Sequence, residues 1–91
     1  MYKITKYSLE QAKKLNVDIK PSTKKNKKID VYKNDKYITS VGDKRYSDYP
    51  TYIKTRGKDY ADERRKLYRI RHKKDMTKKN SAGFYASNLL W

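Results

Sequence analysis

Seven cations fall within residues 59–75, DYADERRKLYRIRHKKD: Arg64, Arg65, Lys66, Arg69, Arg71, Lys73 and Lys74. Guanidinium and ammonium groups at this density neutralise phosphates or clustered carboxylates, and they need no convergent geometry to do so. Tyr32 and Tyr37 flank a short turn, where paired rings offer either a stacking platform for bases or a purely structural cross-strand pair. Material for catalysis is poorer. His72, the single histidine, stands in the same run of cations and reads as a surface residue rather than a general base. Asp59, Asp62 and Glu63 are accounted for by capping and by the helix dipole. Gly42, Gly57 and Gly83 lie too far apart for a phosphate-cradling loop. The expectation is a non-enzymatic protein with no catalytic residue, cofactor, metal or small-molecule substrate.

The elements that must carry these groups are legible in outline. Tyr60, Arg64, Leu67 and Arg71 recur at spacings of four, three and four, flanked by Ala61, Tyr68 and Ile70, which predicts a helix over 59–75 with one apolar stripe. Asp59 serves as its N-cap, Asp62 and Glu63 face the positive end of the dipole, and Arg71 to Lys74 crowd the negative end. Upstream, Pro50 opens a short helix over 50–57 that Gly57 closes, bringing Tyr52 and Ile53 against the basic helix.

Residues 28–41 read as a β-hairpin, KIDVYK and KYITSV joined by Asn34-Asp35, two residues that tolerate the left-handed conformation. A plain two-residue turn sets Val31 opposite Ile38 and Ile29 opposite Ser40 on the core face, with Tyr32 opposite Tyr37 and Asp30 opposite Thr39 on the other. Residues 1–20 form a helix and an extended segment. Tyr2–Thr5 suggests a brief strand, Ser8 and Gln11 a capping box before Leu9, Ala12 and Leu15, and Val17 with Ile19 an extended run ending at Pro21. Residues 21–28, PSTKKNKK, read as a solvated loop. The segment 81–91 concentrates Phe84, Tyr85, Leu89, Leu90 and Trp91, so it either closes the core or inserts into a neighbour, Trp91 being the anchor in the second case. Together these elements predict an α+β fold, a single small domain with the hairpin packed on the basic helix.

A formal charge of +15 on 91 residues opposes compaction unless an anionic partner offsets it. Residues 1–45 carry 13 basic and 5 acidic side chains and residues 46–91 carry 12 and 5, so there is no detachable basic tail. Aromatics at 13%, including 10 tyrosines, are too many for a disordered chain. The absence of cysteine suits a reducing compartment, and no run is long and apolar enough for a bilayer span or a signal peptide, so a soluble, unprocessed protein without a membrane partner is expected.

Three segments, KPSTKKNKKIDVYK, SDYPTYIKTRGKDYADERRKLYRIRHKKD and SAGFYASNLLW, carry a resemblance. In that order the chain resembles, over residues 20–91, a family of small basic uncharacterised proteins of crAss-like phages, with weaker similarity to proteins of large DNA viruses of algae and protists. The resemblance implies a virion protein made in the host cytoplasm, without enzymatic activity. Two functions follow. One is an auxiliary capsid protein that joins subunits of the major capsid protein or other virion proteins. The other is a packaging or genome-organising protein whose cations meet DNA phosphates without sequence preference while Tyr32, Tyr37 or Tyr68 stack on bases.

Overall fold

In the computed structural model, which describes residues 2–91, the chain runs α1 (Lys6–Leu15), β1 (Asp18–Pro21), β2 (Lys27–Lys33), β3 (Lys36–Asp43), α2 (Tyr49–Arg56), α3 (Lys58–Arg71), α4 (Lys73–Met76) and α5 (Ala82–Leu89). The strands form one antiparallel sheet in the order β1-β2-β3, and with the helices they make a single small α+β domain. Among the described residues no helix is long and apolar enough to cross a membrane.

Asn34 and Asp35 take φ of 52° and 64° and turn the β2–β3 hairpin, with Lys33 opposite Lys36 and Tyr32 opposite Tyr37. Beyond that the expected register is wrong by one. Val31 faces Thr39, Asp30 faces Ser40 and Ile29 faces Val41, because a β-bulge takes up one residue of β3. The reason lies in the spacing of the apolar residues. Ile38 and Val41 are three apart, and a regular strand would send them to opposite faces. The extra residue lets Val41 join the core at 2% exposure while Ile38 still packs against it.

The N-terminal segment also differs from its reading. Tyr2–Thr5 forms no strand, and the helix cap is Thr5, whose Oγ1 accepts from the Ser8 amide at 3.2 Å. Ser8 therefore sits inside α1, fully buried, and its hydroxyl donates to the Leu89 carbonyl at 2.6 Å. The extended run after α1 is strand β1, with Ile19 opposite Val31 and Pro21 opposite Ile29. The loop 21–28 is shorter than expected, since β2 begins at Lys27 and the Ser22 amide donates to the Lys28 carbonyl at 3.0 Å.

At α2 the structure agrees with the sequence. Asp48 caps it by accepting from the Thr51 amide at 3.1 Å, Pro50 sits in its first turn and Gly57 closes it at φ 91°. Gly57 also precedes α3, which starts at Lys58 without a side-chain cap, so Asp59 lies in the first turn instead of at the N-cap. There its carboxylate still faces the positive end of the dipole. The predicted helix over 59–75 breaks at His72, whose φ of −108° separates α3 from the single turn of α4.

The stripe of α3 is rotated from its expected position. Ala61 is fully buried and Arg65, Tyr68 and His72 are half-buried, whereas Tyr60, Arg64, Leu67 and Arg71 are exposed. The same four-three-four spacing occurs one residue later in the chain, and that is the set facing the protein. Ala61 lets the backbones of α2 and α3 approach, which a larger side chain would prevent.

Ala12, Val17, Ile29, Val31, Val41, Tyr85, Leu89 and Leu90 form the core, so the hairpin packs on α1 and α5 and not on the basic helix as expected, because α5 brings the larger apolar side chains. The C-terminal segment thus closes the chain's own core, and burying Leu89 and Leu90 contributes roughly 1.5–3 kcal/mol each. Gly42, at φ 82°, permits this closure: a Cβ there would stand 2.7 Å from Leu90 Cδ1.

Candidate functional site

A buried ionic knot ties the start of α2 to the sheet. Lys28 Nζ on β2 lies 2.8 Å from Asp48 Oδ2, with side chains 5% and 1% exposed, and the Tyr2 hydroxyl donates to the same oxygen at 2.8 Å. Burial opposes the Asp48 charge. The bonds from Lys28, Thr51 and Tyr2 and the Lys28 charge outweigh it and hold the carboxyl below its usual range. Burial, with the Asp48 bond, pushes the Tyr2 hydroxyl up. Sequence reasoning missed this knot, and its one local signal was a capping aspartate immediately before Tyr49-Pro50.

Between the knot and α3 opens a cleft of about 510 Å³, lined in part by Tyr46, Tyr52, Arg64, Tyr68, Arg71 and Trp91. Trp91 stacks on Tyr68 with ring centroids 4.5 Å apart and planes 8° from parallel. On Tyr68, in turn, lies His72 at 4.3 Å, and Tyr52 meets Trp91 at 6.1 Å. Burial raises the Tyr68 hydroxyl, partly offset by the nearby Ser87 side chain. The Arg64 guanidinium lies 6.0 Å from the Tyr52 ring centroid. Asp43, also on the cleft, is bound by Arg45 through bonds as short as 2.7 Å, and these bonds hold its carboxyl down to about 2.

The predicted contact residues are divided by the helix. Arg64 and Arg71 face the cleft beside Trp91, while Arg65, Lys66, Arg69 and Lys73 line a shallow groove on another side of α3 together with Ile70. Arg65 is partly withdrawn from solvent, its guanidinium 4.5 Å from the Tyr49 ring centroid and its Nε buried without a partner. Arg69 donates to the Trp91 carbonyl at 3.4 Å. Lys73 and Lys74 are exposed on α4. Trp91, expected as an anchor for a neighbour, is half-buried and engaged by its own chain.

The hairpin tyrosines form a separate unit. Tyr32 and Tyr37 meet edge to face at 5.8 Å, and Lys24 Nζ lies 4.1 Å from the Tyr37 centroid. The Tyr37 hydroxyl accepts from Lys24 at 2.5 Å and is 2.7 Å from Ser40 Oγ, and these two bonds lower its pKa from the ordinary tyrosine value. Ser40 donates onward to Asp30 at 2.5 Å, so this pair is tied into the sheet by its own polar network. Tyr32 lines the groove beside α1 rather than the α3 cleft. Among the described residues no cluster of His, Asp and Glu is arranged to hold a metal.

No family model, curated protein or solved structure matches the chain.

Proposed function

We propose that the protein is a non-enzymatic, basic structural component of a virus particle: an auxiliary capsid protein that seats on major capsid subunits and joins them. The viral setting rests on the resemblance of the three segments quoted above. The joining role rests on one observation: α3 exposes Leu67 at 43%, at the rim of the cleft, and Ile70 at 67% on the adjoining side, between Lys66 and Arg71, neither of which is ion-paired among the described residues. A face that only neutralised phosphates would gain nothing from a bare Leu and Ile. Apolar residues ringed by cations suit a protein surface with an apolar centre and an acidic rim. Mass spectrometry of purified particles tests the reading. A fixed copy number relative to the major capsid protein, reduced by Leu67→Asp with Ile70→Asp, is the expected result, and absence from particles would end the proposal.

The second reading, a genome-binding protein, is favoured by the solvated cations of α3 and α4 and by a charge that makes counterion release available with any polyanion. Binding alone does not separate the two. Neutralising Lys66, Arg69 and Lys73 together would lower the salt slope by about 0.9 for each duplex phosphate that these side chains no longer neutralise. An unchanged slope removes this face from the genome-binding reading.

A further inference from the structure

The cleft between α3 and the sheet contains a combination more specific than either reading requires. Arg64 and Arg71 stand at its edge, exposed and without an ion-pair partner among the described residues. Its walls are aromatic: Tyr46 is 68% exposed, and Tyr52, Tyr68 and Trp91 are half-buried. The one side-chain carboxylate on the lining, Asp43, is occupied by Arg45, and the buried Lys28 by Asp48. What remains free is therefore positive charge beside aromatic surface, in a concavity of about 510 Å³. That size falls within the range of small-ligand sites.

We propose that this cleft binds a nucleoside phosphate unit, with the base against the aromatic wall formed with Trp91 and the phosphate held by Arg64 and Arg71. Planarity and charge select this ligand jointly. A simple anion would leave the aromatic wall unused, and a neutral ring would leave two guanidiniums unpaired. Guanidiniums clamp phosphate oxygens in pairs, and a base gains stacking energy whatever its sequence. The unit can arrive as a free nucleotide or as part of a single strand, and both present the same chemistry. The inference does not depend on the shell reading: Leu67 and Arg71 border both surfaces, but Arg64 and the aromatic wall belong to the cleft and Ile70 does not.

Trp91 is the single tryptophan and so reports on its own site. Its fluorescence is followed while the full chain is titrated with AMP, with a short single-stranded oligodeoxyadenylate and with inorganic tripolyphosphate. Saturable quenching by one or both adenine ligands, and not by tripolyphosphate, is expected. Quenching by both points to a free nucleotide, and quenching by the oligonucleotide alone points to a single strand. Arg64→Gln with Arg71→Gln should weaken binding at least about tenfold, since each removes a charge-assisted bond to the phosphate. Tyr46→Ala, at an exposed position, should weaken the adenine ligands while circular dichroism stays unchanged. No saturable quenching, equal quenching by tripolyphosphate, or full affinity in the double variant would each overturn the assignment.

Discussion

Trp91 lies flat on Tyr68, with ring centroids 4.5 Å apart and planes 8° from parallel. The stack couples the segment beyond α5 to the last turn of α3, so the chain after the last helix holds the basic helix in place while that helix fills the core. Replacing Trp91 by Ala removes a half-buried ring and an aromatic pair, and should cost about 2 kcal/mol in urea denaturation. A cost near zero would mean that the ring is free for a neighbouring molecule.

The rotation of α3 gives a paired test. Leu67→Ala changes an exposed side chain and should cost less than about 1 kcal/mol, whereas Ala61→Leu overpacks a fully buried position and should cost about 1–3 kcal/mol. The reverse order in thermal or chemical unfolding would restore the Tyr60–Leu67 stripe as the inward face.

Asp48→Asn keeps a capping side chain for α2 but leaves Lys28 charged and buried without its counterion. Loss of a buried pair's partner costs about 3–5 kcal/mol. Adding Lys28→Met should recover a large part of that loss, as measured by a double-mutant cycle, because the stranded charge is then gone. No recovery would show that the cost arises elsewhere.

Acid should unfold the protein through its carboxylates. Asp30, Asp43, Asp48 and Asp62 all have folded pKa values below the ordinary one. A group depressed in this way contributes stability that is fully present above its unfolded value, near 4, and is lost as pH falls through its folded value. For Asp43 that window runs from about 4 down to about 2. Unfolding free energy should therefore be flat between about pH 5 and about pH 9, below the tyrosine range, and fall steadily below about pH 5, with a shallower fall in Asp48→Asn. An unchanged profile in that variant would remove Asp48 from the acid transition.

Elements set by local signals are readable from the chain. The Asn34-Asp35 turn, the Asp48-Pro50 start of α2 and its closure at Gly57 each follow from backbone preferences of the residues present. Features set by distant partners are not. The stripe of α3 is misplaced by sequence alone because Tyr60 and Leu67 look more buriable than Ala61 and His72. What decides the matter is Trp91, stacking on Tyr68 from the far end of the chain. The cleft is half legible: its cations and Trp91 stand out, but nothing local joins them to Tyr46 and Tyr52. Lys28 is hidden for a similar reason, since its alternation in β2 gives no hint of an aspartate twenty residues on.

The bulge in β3 also determines where this protein tolerates a change of length. A chain lacking Ile38 would pair Tyr37 with Tyr32 and Thr39 with Val31 in an unbroken ladder, keeping every partnership beyond that point. Removal of a residue beyond Val41, such as Gly42, would instead shift the remainder of the strand by one and exchange its inner and outer faces. Relatives of different length are thus expected to gain or lose a residue next to the turn, where the hairpin already carries a spare one.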